Sequence, residues 1–172
     1  NDRINDATAR LPIFKHYNIQ DDIIHASADG QKFESRRETF KTRYSSKYFG
    51  TQKGVSAVSL IANHAAINAQ VIGANEHESH FIFDLLMNNS SDIIPDVLST
   101  DTHGVNHINF ALLDLFGYKF APRYAKISQV LNEMFHVSED KNQHVQLSLK
   151  KPIKYKAIIK HWDTIQRIAV SL

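Results

Sequence analysis

Two apolar runs joined by a short segment constrain the fold of this chain more than any other feature. They are Val55 to Asn63 and Ile67 to Ala74, and they meet at the segment NHAA. Apolar runs of this length around a short connection predict a hairpin of two buried strands. A third strand is predicted over Asp22 to Gly30, where β-branched residues come first and a glycine turn ends the run.

The segments after the hairpin alternate between helix and strand. Apolar residues at helical spacing predict a helix over Glu78 to Asn88, and Asp96 to Thr100 is a brief strand after a proline. Thr102 is the predicted cap of a second helix that Gly117 ends, and a short strand is expected at Tyr118 to Ala121. Three strands, a helix, a strand, a helix and a strand follow the order of an RNase H-like domain. The predicted fold class is therefore α/β, with a mixed sheet flanked by helices.

The chain of 172 residues is long enough for one main domain with appendages. We expect a helical lead-in over residues 1–21, a partial RNase H-like core over 22–124, and a helical extension or the start of an insertion over 125–172. In that last part, residues 125–135 are predicted to be helical and 139–144 to be a polar loop. One apolar helical stripe is formed by Ile158, Trp162, Ile165, Ala169 and Leu172. Because the chain starts at an asparagine and stops within this stripe, it is expected to be a piece of a longer protein.

Composition excludes several classes of protein. The chain has no cysteine, so a disulfide framework and a thiolate metal site are both excluded. No apolar stretch approaches the roughly 18 residues that span a bilayer, and the polar N-terminus lacks the apolar run of a signal peptide. The expected location is the cytoplasm, without a membrane partner.

The net charge of +2 hides a segregation of charge along the chain. Residues 32–53 contain seven Lys or Arg against two Glu, whereas residues 54–118 contain no Lys or Arg and seven Asp or Glu. Residues 150–167 are basic again. Basic margins around an acidic centre suit a protein that holds phosphates at its edges and cations in its middle, although such runs are also ordinary solvated faces.

Two aspartates stand at the ends of predicted strands. Asp29 ends the first strand, in SADGQ, and Asp101 follows the fourth, in STDTHG. In the RNase H-like order these two strands are neighbours, so the carboxylates would meet and a divalent cation would relieve their repulsion. Such a pair supports phosphoryl transfer with two metal ions. The alternative is that both aspartates only begin turns, before Gly30 and Gly104.

Basic and aromatic side chains are interleaved directly after Asp29. Cations can hold phosphates while aromatic rings stack on distorted or unpaired bases. Alternatively, the aromatic residues anchor the segment to the core and the charges face water. The residues predicted here to contact DNA are Lys32, Arg36, Arg37, Arg43 and Lys47.

Five motifs resemble the catalytic core of the Tn-three family of replicative transposases. They are HASADGQKF (25–33), KYFGTQKGVS (47–56), GANEHESHFIFDLL (73–86), STDTHGVN (99–106) and FGYKFAPR (116–123). The resemblance implies an RNase H-like fold with an Asp-Asp-Glu site for two Mg²⁺ or Mn²⁺ ions. It also implies DNA partners, namely terminal inverted repeats and target DNA, with nicking of 3′ ends, strand transfer and self-association in a transposition complex.

The resemblance assigns roles to single residues. By motif position Asp29 and Asp101 correspond to the first and second metal-binding aspartates. Independently of the resemblance, His103 is a candidate for positioning a ligand or a phosphate because it lies close to Asp101 in sequence. Arg123 would contact DNA or orient a carboxylate.

The third acidic ligand is the departure from the family pattern. In the family the glutamate lies on a later helix, past Leu172, so the chain is expected to be truncated before that helix and inactive alone. Glu133 and Glu139 follow Asp101 by 32 and 38 residues, as a third acidic ligand would in some other Asp-Asp-Glu recombinases. Neither is predicted to be the third ligand here.

Four histidines form a competing constellation, namely His77, His80, His103 and His107. Histidines four apart on a helix can share one zinc ion, with a carboxylate to complete a hydrolase site. The segment HGVNH lacks the glutamate that serves as base in the zinc-protease motif. A zinc-dependent hydrolase and a DNA-binding module that does not cut DNA are the two alternative functions.

Overall fold

The computed structural model of the chain describes residues 2–136, 149 and 151–172. The chain divides into two compact units, Asn1–Arg123 and Tyr124–Leu172. Both candidate aspartates belong to the first unit, together with all of the residues predicted to contact DNA.

Six strands form the sheet of the first unit. They are β1 (His25–Glu34), β2 (Arg43–Tyr44), β3 (Lys53–Ala62), β4 (Ala65–Gly73), β5 (Val97–Thr100) and β6 (Lys119–Phe120). The order across the sheet is β2, β3, β1, β5, β6, and β4 also pairs with β3. β1 is antiparallel to β3 and parallel to β5, and β5 is parallel to β6. The sheet is therefore mixed, and the predicted α/β class is confirmed.

Five helices accompany this sheet in the described part of the first unit. They are α1 (Asp2–Ala9), α2 (Pro12–His16), α3 (Ser46–Phe49), α4 (Ile82–Met87) and α5 (His107–Leu115). Two short 3-10 turns, Glu78–His80 and Thr102–Gly104, precede α4 and α5.

The predicted hairpin is confirmed as β3 and β4. The pairing closes at Ala62↔Ala65, and the two residues between them have left-handed backbones, with φ of 45° at Asn63 and 65° at His64. Two successive positive φ values give the turn the twist that adjacent strands require.

The first strand is longer than predicted, because Gly30 does not end it. Gly30 pairs with Val58 inside β1, and the antiparallel register with β3 continues to Glu34↔Gly54. The glycine is therefore a strand residue, and pairing with a strand distant in sequence overrides its local preference for a turn. Asp29 consequently lies inside β1 and not at its end.

One face of the sheet is buried and the other is open. Ala28, Val58 and Leu60 are at most 2% exposed and belong to a core that also contains residues of α4. On the opposite face, Ile61 and Val71 are 43% and 45% exposed. The two runs predicted as buried strands are thus buried on one face only, with the alternation that a strand of period two produces.

The helices differ from prediction at their starts. The segment predicted as one helix from residue 78 is a 3-10 turn followed by α4. The predicted cap Thr102 lies inside the second 3-10 turn, and α5 is instead capped by Asn106, whose side chain accepts from the Asn109 N–H. Gly117, with φ of 84°, follows the end of α5 as predicted.

The second unit contains short elements in its described residues. They are α6 (Ile127–Val130), β7 (Phe135–His136), β8 (Lys151–Pro152), α7 (Tyr155–Lys160) and α8 (Trp162–Ser171). The helix predicted over 125–135 is only four residues long, and the apolar stripe is divided between α7 and α8 at His161. The loop predicted over 139–144 lies outside the described residues. In the described ranges no helix combines the length and apolarity needed to cross a membrane.

Candidate functional site

The two candidate aspartates lie at corresponding positions of two adjacent chain segments, Asp29 within β1 and Asp101 directly after β5. The parallel register of β1 and β5 extends to Ala28↔Thr100, and Asp29 and Asp101 each follow the last residue of that register. The backbone of Asp101 is still extended. Since side chains alternate along an extended chain, both aspartates face away from the side on which Ala28 and Thr100 are buried. They therefore belong to the open face of the sheet.

Asp101 is held by the turn that it caps. Its Oδ1 accepts from the backbone N–H of His103 at 2.8 Å and of Gly104 at 3.3 Å. The Nδ1 atom of His103 lies 2.8 Å from Oδ2. Partial burial raises the pKa of Asp101, but the hydrogen bonds from the His103 side chain and the two backbone N–H groups outweigh it, so the pKa lies below its usual range. The carboxylate is ionised, and these hydrogen bonds orient it.

Asp29 is much less restrained. Its side chain is exposed, and Oδ1 accepts only from the N–H of the next residue, Gly30, at 2.8 Å. Among the described residues, no donor contacts its Oδ2. The position of this carboxylate therefore depends on the backbone of β1.

Two adjacent carboxylates fit a hard divalent cation as part of a ligand set. Carboxylate oxygens are the ligands that Mg²⁺ and Mn²⁺ prefer, and both aspartates are accessible to solvent. Over the described ranges no group of three His, Cys, Asp or Glu side chains is placed to hold one ion. A cation held here would therefore need further ligands in addition to these two carboxylates.

Two arginines of the basic segment have uncommitted charges. Arg36 and Arg37 lie in the connection after β1, and both are exposed. In the part of the chain that the structure describes, neither guanidinium has a hydrogen bond or an ion pair. Phe40, in the same connection, is 88% exposed. This segment therefore presents free cations and an aromatic ring to solvent.

The other cations of this segment have partners within the protein. Arg43 donates to the carbonyls of Phe40 and Thr42, both at 2.8 Å. The Nζ atoms of Lys32 and Lys47 lie 5.0 and 4.9 Å from the centre of the Tyr48 ring. Lys32 also faces Glu78, at 3.8 Å from Oε1.

Arg123 lies beside the Asp101 turn through its backbone. Its N–H donates to the Thr100 carbonyl at 2.8 Å, and its carbonyl accepts from the Thr102 hydroxyl at 3.3 Å. Its side chain is exposed. The structure thus brings Arg123 next to one of the two aspartates, whereas the segment with Arg36 follows the other.

The histidine pair predicted for zinc does not have the required helical geometry. His103 lies in a 3-10 turn and His107 begins α5, with extended residues Val105 and Asn106 between them. The ring of His103 is turned to Asp101. The spacing of four is therefore not a helical spacing, and this argument for a zinc hydrolase fails.

Two residues of the site escaped the sequence reasoning. Glu78 packs against Gly30, and Asn109 donates to the Gly104 carbonyl at 3.1 Å. The contact of Glu78 with Gly30 joins segments far apart in sequence, and that of Asn109 with Gly104 spans the start of α5. No local sequence pattern indicates either contact. The asparagine at position 106, directly before an apolar helix, was a detectable cap signal.

The whole chain, residues 1–172, matches the family model described as Tn3 transposase DDE domain. This chain belongs to that family. The resemblance seen in the sequence motifs is thereby confirmed.

The chain is similar to several curated transposases. It is 28% identical over 149 residues to the transposase for transposon Tn4556 of Streptomyces fradiae, covering 86% of this chain and 16% of that protein. It is 28% identical over 151 residues to the transposase for transposon gamma-delta of Escherichia coli, covering 86% of this chain and 15% of that protein. The transposase for Tn1546 of Enterococcus faecium is 24% identical over 178 residues, covering 99% and 18%. The chain thus spans between 15% and 18% of the length of these relatives.

Among solved structures, the chain is similar to the crystal structure of the Mos1 strand transfer complex. The identity is 12%, the TM-score is 0.38, and the match covers 94% of this chain and 50% of that chain. A TM-score of this size does not establish a shared fold.

Proposed function

We propose that this chain is the part of a DNA transposase that supplies two of the three acidic ligands of a divalent-metal site, Asp29 and Asp101. The observation that supports the proposal is the parallel register that ends at Ala28↔Thr100, because Asp29 and Asp101 are the residues that directly follow this pair. Membership in the Tn3 transposase DDE family supports a metal-binding role for this pair. The parent enzyme would nick DNA 3′ ends and join them to target DNA.

In this proposal Asp29 and Asp101 bind the metal, and His103 orients Asp101. Asp29 offers a solvent-exposed carboxylate, and Asp101 offers one whose direction is fixed by its own turn. His103 holds Asp101 through its ring. When bound, Mg²⁺ or Mn²⁺ would activate a water or a 3′ hydroxyl and stabilise the leaving oxygen.

The finer assignment of the fold is RNase H-like. The mixed sheet and the parallel pairing of β1 with β5 support it. The third ligand, a glutamate, would come from a later helix of the parent protein. Glu133 is an exposed residue after α6 and Glu139 lies outside the described residues, so neither is assigned to the site.

DNA is the proposed partner, held through its phosphates by exposed cations. Arg36 and Arg37 are the strongest candidates because their charges are uncommitted, and Arg123 lies beside the Asp101 turn. Transposon ends, target DNA and further copies of the parent protein complete the proposed assembly.

Metal binding by the 172-residue chain tests the proposal. Mn²⁺ would be titrated into the chain and followed by electron paramagnetic resonance. We expect Asp29→Asn and Asp101→Asn each to abolish the signal of bound Mn²⁺, because each variant keeps only one of the two carboxylate ligands. Asp114→Asn is the matched control, since this exposed aspartate lies in the last turn of α5 and not in the sheet. Binding that persists in both aspartate variants would refute the assignment.

A DNA-binding module without catalysis is the second candidate. Its support is that Arg36 and Arg37 make no contact with the aspartates, so DNA binding does not need the metal site. Two results together would favour this candidate. The full-length parent transposase would not cut DNA even as the wild type, and its salt-sensitive DNA binding would survive the double substitution Asp29→Asn/Asp101→Asn.

A further inference from the structure

A shielded ion pair lies under the sheet, on the face opposite to Asp29. Lys32 and Glu78 are 3.8 Å apart, and their side chains are only 14% and 13% exposed. The fully buried Ser56 donates its hydroxyl to Glu78 Oε1 at 3.5 Å, and Lys32 donates to the Ala74 carbonyl at 3.3 Å. In every other ion pair of the described residues, at least one partner is more than half exposed.

Stability alone does not account for this pair. Taking two charges out of water costs about as much as their attraction returns, and apolar residues of similar volume often serve as well. A charged pair in this place is better explained by the geometry that it imposes on its neighbours.

Glu78 fixes the backbone directly behind Asp29. A Cβ atom added to Gly30 would overlap the carboxyl group of Glu78. That carboxyl group therefore fills the space that only a glycine leaves open. Gly30 in turn donates its N–H to Asp29 Oδ1, the one restraint that the Asp29 side chain has within the described chain.

The next residue, Ser79, connects the same turn to Asp101. The Ser79 carbonyl accepts from the side chains of Asn109 at 2.8 Å and Asn106 at 3.2 Å. Asn109, only 3% exposed, also donates to the Gly104 carbonyl at 3.1 Å. Gly104 is one of the two backbone donors to Asp101.

We propose that Glu78 is a positioning residue, which sets the distance between Asp29 and Asp101 by bracing Gly30 while the adjoining Ser79 holds the Asp101 turn. The inference rests on the proposed function of the two aspartates. Glu78 itself touches no metal, because it lies on the other face of the sheet from Asp29.

Two variants disturb this brace in different ways. Glu78→Gln keeps the shape and removes the charge, whereas Gly30→Ala keeps Glu78 but pushes its flexible carboxyl end away. In the 172-residue chain, each is expected to weaken Mn²⁺ binding about tenfold, as the loss of a supporting residue behind a ligand does. Glu34→Gln, on the same strand but exposed, is the matched control and should leave the affinity unchanged.

A double-mutant cycle separates positioning from general damage. In a Glu78→Ala background there is no carboxyl group to displace, so Gly30→Ala should cause no further loss of Mn²⁺ affinity. The amide NMR signals of Gly30 and Gly104 should both shift in Glu78→Gln, while the signals of the remaining core stay in place. Additive losses in the cycle, or an unmoved Gly104 signal, would overturn the inference.

The outcomes also distinguish this inference from the function on which it rests. If Asp29→Asn abolishes Mn²⁺ binding while Glu78→Gln and Gly30→Ala leave it unchanged, the positioning role is wrong and the metal site stands. If Asp29→Asn has no effect, both are wrong. If Glu78→Gln does not fold, Gly30→Ala alone decides, since it displaces only the end of a flexible side chain.

Discussion

The two faces of the sheet in the first unit have opposite relations to solvent. On the buried face, Ala28, Val58 and Leu60 are packed almost without exposure. On the open face, Asp29 is exposed and Ile61 is 43% exposed. The same strands build both faces, so alternation along β1 and β3 separates residues that hold the fold from residues that are free to bind. The role of a residue in these strands therefore depends on which face of the sheet its side chain belongs to.

The largest expected difference between the faces is in stability. Leu60→Ala removes a side chain that is 1% exposed and should lower the free energy of unfolding by about 3 kcal/mol. Ile61→Ala, the next residue on the opposite face, should cost about 1 kcal/mol or less because the side chain is already half in water. Urea denaturation followed by circular dichroism measures both. Equal losses would mean that the open face is covered in solution.

A smaller difference is expected between the two aspartates without metal. Asp101→Ala removes the acceptor of two backbone N–H groups and should cost about 1 kcal/mol, as the loss of a cap does. Asp29→Ala should change the free energy of unfolding by less than about 0.5 kcal/mol, because the side chain is exposed and bonds only to its neighbour. The measurement is denaturation in the presence of a chelator. A larger loss for Asp29→Ala would show that this carboxylate has a structural partner.

Local patterns predicted much of the fold and less of the site. The apolar runs gave the hairpin, and the spacing of Ile108 and Leu112 gave α5, because these signals lie within one element. Gly30 was misassigned to a turn, since its strand conformation depends on pairing with Val58. Other predicted elements also differ, such as the helix predicted over 125–135, which is shortened to Ile127–Val130.

The two candidate aspartates are predicted from the sequence, but their surroundings are not. Asp29 and Asp101 stand out because aspartate is poorly suited to strands, and the motif resemblance supports the same choice. The contact of Glu78 with Gly30 joins residues 48 positions apart in the numbering, and nothing in either segment indicates it. Packing between distant segments therefore limits prediction of the supporting residues more than of the ligands.

The smallest expected effect concerns the cations, which the two faces also separate. Lys32 lies on the buried side of the sheet, where it pairs with Glu78, whereas Arg36 and Arg37 lie in an exposed connection after the strand.

Each cation that contacts a phosphate adds about one to the slope of log affinity against log salt concentration. In a full-length parent transposase, the double substitution to alanine at positions corresponding to Arg36 and Arg37 should lower that slope by about two. The substitution corresponding to Lys32→Gln should leave the slope unchanged, although it disturbs the pair with Glu78. Fluorescence anisotropy with labelled duplex DNA over a range of salt concentrations measures these slopes. A decrease in slope for Lys32→Gln as large as that expected for one arginine would mean that Lys32 also contacts DNA. The cations would then not differ between the two faces.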